Sequence, residues 1–248
     1  MNHEEHCDYL EVEVERFASG FEVTNEDSLV PSCPGWTVHD LSEHLGEVHR
    51  WAEHLVRVEA PERIPPGDMG LELVPVDAAW LRRGGVALIV TLRASNPDAP
   101  MWAWGADQHV RFWSRRQLHE TVVHRVDLDL AAGRTPFVEP EVASDAIDEF
   151  LVNLRGASYF SPKVKNIRGR HQVLRFSTTD VEGSWTMAID DDGFLLTGGE
   201  FPANAELSGP ATDLLMVLYR RRGVEGSGVK VHGDRSLVDW WLSNSALE

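Results

Sequence analysis

The chain has 248 residues, enough for two domains of ordinary size, and 42% of them are apolar, as in a globular protein. Asp and Glu outnumber Lys and Arg by 40 to 23, and the formal charge of −17 disfavours nucleic-acid and anionic-membrane partners. No apolar run approaches a membrane span, the opening MNHEEHCDYLEVEVE is acidic rather than signal-like, and Cys7 and Cys33 form neither a C-x-x-C motif nor a disulfide framework; the expectation is a cytoplasmic protein with reduced thiols.

In chain order, residues 4–19 predict a first helix, with Leu10, Val14 and Phe17 at helical spacing and Gly20 placed to stop it. The segment Val30-Pro31-Ser32-Cys33-Pro34-Gly35-Trp36 forbids regular structure, and Thr37-x-x-Asp40 is a capping box that opens a second helix running to about Glu59. Its apolar stripe is Leu41, Leu45, Val48, Ala52 and Leu55. With Leu41 as zero, His39, His49 and His54 fall about 80° to 160° away, and His44 about 60° away, at the edge of the stripe. His44 is therefore the inward candidate, either a satisfied interface histidine or a ligand. Pro61 to Val76 reads as a loop, Asp77 to Ala94 as a third helix whose pattern is interrupted at Gly84-Gly85, and Trp102 and Trp104 as a plug for a bundle end or the wall of a pocket.

A fourth helix spans about Asp107 to Ala132 and closes at Gly133. Glu120 and His124 differ by about 40° around its axis, so both can reach one small object such as a metal ion. HETVVH is not a zincin motif, because His119 and His124 are five apart and point about 140° from each other. The Glu120 face also carries Trp113, Gln117, Asp127 and Ala131, whereas Arg115 and Arg125 lie elsewhere on the wheel. That face is either solvated or an interior one that builds a metal site, as bundles commonly do; Trp113 is costly to expose.

The second half changes character, with a domain boundary near Thr135 to Val138. Glu139 to Arg155 predicts a helix, and after Tyr159-Phe160-Ser161-Pro162 the period-two runs HQVLRFST, SWTMAID and DGFLLTGG predict strands of an antiparallel sheet. Asn204 to Gly209 and Val229 to His232 add short strands, Thr212 to Arg222 an amphipathic helix, and Ser236 to Leu242 a terminal helix. The fold class is α+β in two domains, 1–137 and 138–248.

Three pieces in order carry a resemblance: Cys33-Pro34-Gly35-Trp36-Thr37-Val38, then Asp40-Leu41-x-x-His44-Leu45, then Trp113-x-Arg115-Arg116-Gln117-x-His119-Glu120-Thr121-x-Val123-His124-Arg125-x-Asp127. Together they resemble the mycothiol-dependent maleylpyruvate isomerase family of actinobacteria. The resemblance implies an N-terminal DinB/YfiT-like four-helix bundle holding a divalent metal, usually zinc, through His44, Glu120 and His124. It also implies a C-terminal domain similar to sterol-carrier folds, with an arginine near the active site, for which Arg221 of the Arg220 to Arg222 run is the choice. Its chemistry implies mycothiol as the thiol and a small electrophilic, carboxylate-bearing substrate, with isomerase and thiol-transferase reactions both open. A non-catalytic member that binds a small molecule or a partner is the alternative. Asp127 is expected to support a metal-bound imidazole from outside the ligand set, and His119 to lie away from it.

Overall fold

The computed structural model describes residues 1–69, 75–158, 160–197 and 202–246, so the 70–74 part of the loop after Pro61, Tyr159 and the two glycines ending DGFLLTGG lie outside the described residues. The chain divides into two compact units, Met1–Pro136 and Phe137–Glu248. No helix among the described residues is long and apolar enough to cross a membrane.

The first unit is a bundle of α1 (His3–Glu22), α2 (Val38–Arg57), α3 (Ala78–Ala94) and α4 (Val110–Ala131). The Thr37–Asp40 capping box forms, so the start of α2 is fixed by its own side chains. A second box, unforeseen in the sequence reading, opens α1 through Asn2 and Glu5. α4 closes at Gly133, which takes φ 68°, as expected, but the stop at Gly20 and the break at Gly84-Gly85 do not occur. α1 runs through Gly20, where a Cβ would sit 3.0 Å from Leu128 Cδ2. α3 runs unbroken through Gly84 and Gly85, where a Cβ would meet the Arg50 guanidinium at 2.4 Å and Val14 at 2.5 Å. These glycines let neighbouring helices approach rather than end the one they are in.

Leu10, Phe17, Leu41, Leu45, Leu55, Leu88 and Leu92 fill the bundle interior at 1% exposure or less. α4 packs against α1 and α2 and is buried nearly all round, although much of it is polar. Its polar groups must therefore find partners inside the protein. Arg125, which the wheel sets apart as plainly charged, is an example: it is 6% exposed, with Nε donating to Glu13 at 2.5 Å and Nη1 to Asp129 at 2.9 Å. Trp102 joins Trp51 and Trp113 in a cluster with ring centroids 5.3 to 6.1 Å apart, Trp51 standing edge-on to the other two.

The second unit carries α5 (Pro140–Ala157), β1 (Gln172–Thr178), β2 (Ser184–Ile189), β3 (Phe194–Thr197), β4 (Ala205–Gly209), α6 (Ala211–Leu218), β5 (Lys230–Gly233) and α7 (Arg235–Asn244). The strand order is β3-β2-β1-β4-β5. β1, β2 and β3 form an antiparallel meander, but β4 runs parallel to β1, so the sheet is mixed rather than antiparallel throughout. In this register Leu174 faces Ala205 and Phe176 faces Leu207, all four buried, so the apolar side chains of both strands share one face. Phe176, Trp241, Phe150 and Tyr219 continue that core, with successive ring centroids 4.8 to 6.3 Å apart.

α6 ends four residues earlier than the sequence suggests. Arg220 adopts φ 63°, its N–H donates to Val217 O, and Arg221 N–H donates to Met216 O. This is a Schellman closure with arginine where glycine is usual, and it places the arginine run beyond the helix.

Candidate metal centre

The capped start of α2 sets His44 two turns into that helix, and α4 presents Glu120 and His124 one turn apart. The structure brings the three together. His44 Nε2 lies 3.5 Å and His124 Nε2 3.1 Å from the same oxygen, Glu120 Oε1, and the two imidazoles stand edge to face at 5.1 Å. One ligand atom from each residue lies within 4.8 Å of the others, the one such group of three among the described residues. The side chains are 37%, 23% and 11% exposed for His44, Glu120 and His124, so the cluster is partly open to solvent. Trp36 covers His44 from the preceding loop at a centroid distance of 5.0 Å.

A second layer fixes these groups. Asp127, fully buried, sits 3.0 Å from His124 Nδ1, which leaves Nε2 for the cluster. It also accepts from Ser32 Oγ at 2.5 Å and from Cys33 Sγ at 3.6 Å. Arg116, 5% exposed, donates to Glu120 Oε2 at 2.9 Å, so the carboxylate gives one oxygen to the guanidinium and the other to the imidazoles. Sequence reasoning missed Arg116, although its i, i+4 spacing to Glu120 is a readable signal. His119 is buried beside His6, 6.3 Å away, and is not part of the cluster. Arg221, in the second unit, donates from Nη1 to Tyr219 O at 2.8 Å and lies 5.9 Å over the Tyr219 ring.

Burial opposes ionisation of Glu120, but hydrogen bonds from His124 and His44 and the Arg116 charge outweigh it, and the carboxyl is held well below the usual carboxylate range. Burial likewise disfavours charge on His124, yet Asp127 and Glu120 together push it up to about 9. Two imidazole nitrogens and one carboxylate oxygen form a donor set that suits zinc, and three protein ligands leave a position open. A dication held there would take the place of the proton that His124 Nε2 shares with Glu120.

His49, which the wheel places off the stripe, is 2% exposed and bonds Thr121 Oγ1 at 2.8 Å. α2 packs on both α3 and α4, so it buries two directions rather than one. Thr121 donates its own proton to Gln117 O, which makes His49 Nε2 the donor of that pair. Burial drives the His49 pKa down to about 3. A depressed histidine contributes stability above its unfolded value of about 6.5 that is lost as pH falls from there toward 3. In the metal-free protein His124 has the opposite sign, its contribution being lost as pH rises toward 9. Chemical denaturation of His49→Gln should therefore show a shallower loss of stability between pH 6.5 and 4 than wild type; equal slopes would remove His49 as the cause.

Residues 10–129 match the family model described as the mycothiol maleylpyruvate isomerase N-terminal domain, and residues 141–239 match the C-terminal domain model of the same family. Among solved structures, a mycothiol-dependent maleylpyruvate isomerase is similar at 15% identity over 93% of both chains, with a TM-score of 0.53. A histidine-to-alanine variant of such an isomerase is similar at the same identity and coverage, with a TM-score of 0.55. At this identity the likeness is one of fold. No curated protein matches the chain.

Proposed function

The chain belongs to the mycothiol maleylpyruvate isomerase family by both of its domains, and from that membership we propose that it is a metal- and mycothiol-dependent enzyme acting on a small electrophilic substrate that carries a carboxylate. Isomerisation, with maleylpyruvate as the first substrate to try, is the leading reaction, and transfer of the thiol to an electrophile is the second. The observation that supports the reading is the convergence of His44, Glu120 and His124 on one partly open space. A divalent ion, zinc by the donor set, supplies a Lewis acid that holds a thiol as thiolate near neutral pH.

The chain's own residues do the positioning. Asp127 keeps His124 Nε2 turned inward, Arg116 holds one oxygen of Glu120 and leaves the other to the imidazoles, and Trp36 packs against the His44 ring. In the second unit Arg221 is the proposed carboxylate contact. All three arginines of the run have partners, Arg220 with Leu242 O at 2.8 Å, Arg221 with Tyr219 O at 2.8 Å and Arg222 with Asp213 at 2.6 Å. The test is turnover of maleylpyruvate with mycothiol before and after chelation, beside elemental analysis. Turnover that needs the thiol, disappears with the metal and returns with zinc supports the reading. Full turnover by metal-free protein overturns it. Arg221→Ala should lose turnover with its metal content intact, and unchanged kcat/KM would end that residue's part.

A further inference from the structure

The loop between α1 and α2 touches His44 directly and reaches His124 only through Asp127. Val30 N–H bonds Trp36 O, Cys33 N–H bonds Val30 O, and Trp36 N–H bonds Cys33 O, at 2.9 to 3.1 Å, so the backbone from Val30 to Trp36 is tied to itself. Gly35 supports this fold-back with φ 89°, a conformation that side chains rarely adopt. From this frame Trp36 stands against His44. On its other side Ser32 reaches Asp127, 95 positions later in the chain.

We propose that Ser32 is a positioning residue for the metal centre, its hydroxyl locking the Asp127 carboxylate so that His124 keeps its proton on Nδ1 and turns Nε2 toward Glu120 and His44. This inference rests on the metal reading above. The carboxylate of Asp127 is fully buried, and a carboxylate held by one partner can rotate about its last torsion. Ser32 takes Oδ1 at 2.5 Å and leaves Oδ2 to His124 at 3.0 Å, so the two hydrogen bonds together fix that rotation. Cys33 adds only a long sulfur contact to Oδ2 at 3.6 Å and is not expected to substitute for the hydroxyl. The lock is local to the loop and α4 and adds no atom to the ligand set.

Zinc affinity of the full chain and 15N spectra of the metal-free His124 ring, recorded above pH 9 where the ring is neutral, test this in Ser32→Ala, Ser32→Thr and Cys33→Ala. Losing an outer partner of a ligating histidine typically costs 10- to 100-fold in metal affinity. Ser32→Ala, one contact further out than Asp127, should fall at the low end of that range, about tenfold, and lose the single Nδ1–H signature, while Ser32→Thr, which keeps the hydroxyl, and Cys33→Ala should stay near wild type. Ser32→Ala with wild-type affinity and an unchanged His124 spectrum would overturn the positioning role and leave the metal reading standing. Wild-type protein that binds no zinc would overturn both. Should Ser32→Ala fail to fold, Ser32→Cys, retaining a weaker donor, replaces it, and wild-type affinity in that variant counts against the proposal.

Discussion

Glu120→Ala is expected to lower zinc affinity by more than about a hundredfold, beyond the range for outer partners of a ligand, and to abolish thiol-dependent turnover. Two effects act together. The variant loses the only anion of the three-residue cluster, and it strips Arg116 of the carboxylate oxygen 2.9 Å from its Nη2. The guanidinium, 5% exposed, then faces the same space as the incoming dication, and like charges in a shielded pocket repel strongly. His44→Ala removes a neutral donor and leaves the Arg116–Glu120 pair intact, so its loss should be smaller. Titration calorimetry with zinc ranks the two variants, and near-wild-type affinity in Glu120→Ala would take the metal away from this cluster.

Arg125→Met should be the most destabilising single charge removal in the first unit, at about 3 kcal/mol, and should leave zinc affinity of the folded protein unchanged. Removing one partner of a buried pair commonly costs about 3–5 kcal/mol because the other charge stays behind without water. Glu13 is 1% exposed, but Arg16 still holds its Oε1 at 2.8 Å, and Arg134 still holds Asp129 at 2.8 Å, which places the cost at the low end. Urea unfolding gives the figure, and adding Glu13→Gln to the variant should recover part of it. A loss within about 0.5 kcal/mol, the range of an ordinary surface substitution, would mean that the pair is solvated in solution.

What the sequence makes legible is local. The Thr37–Asp40 box, the shared face of Glu120 and His124, and the edge position of His44 all follow from spacing within one helix. What it hides depends on how many neighbours an element has. A wheel drawn around one apolar stripe assumes one buried face, and it fails for His49 on α2 and Arg125 on α4, which are buried against a second neighbour. Arg116 is hidden differently: its spacing to Glu120 is visible, but whether a guanidinium there is solvated or folded into the cluster depends on Trp104 and the loop before α4, 6.0 Å from it. The parallel seating of β4 is invisible for a similar reason, since alternation fixes which side of a strand is apolar and not which neighbour it pairs with. Gly20, Gly84 and Gly85 look like breaks in a string of letters and are contact points in space.

That seating of β4 has a consequence for self-association. By entering beside β1 it leaves β3 and β5 as the edges of the sheet, each only four residues long among the described residues, while the longest strand, β1, is paired on both sides. An unpaired edge is a template on which a second copy can add a strand, and natural sheets blunt it with short edges and charged side chains. β5 has both, since Lys230 and His232 sit on a strand that is mostly exposed. The longer segments best suited to form intermolecular β-structure are thus held in the middle of the sheet, where aggregation through them requires the unit to unfold first.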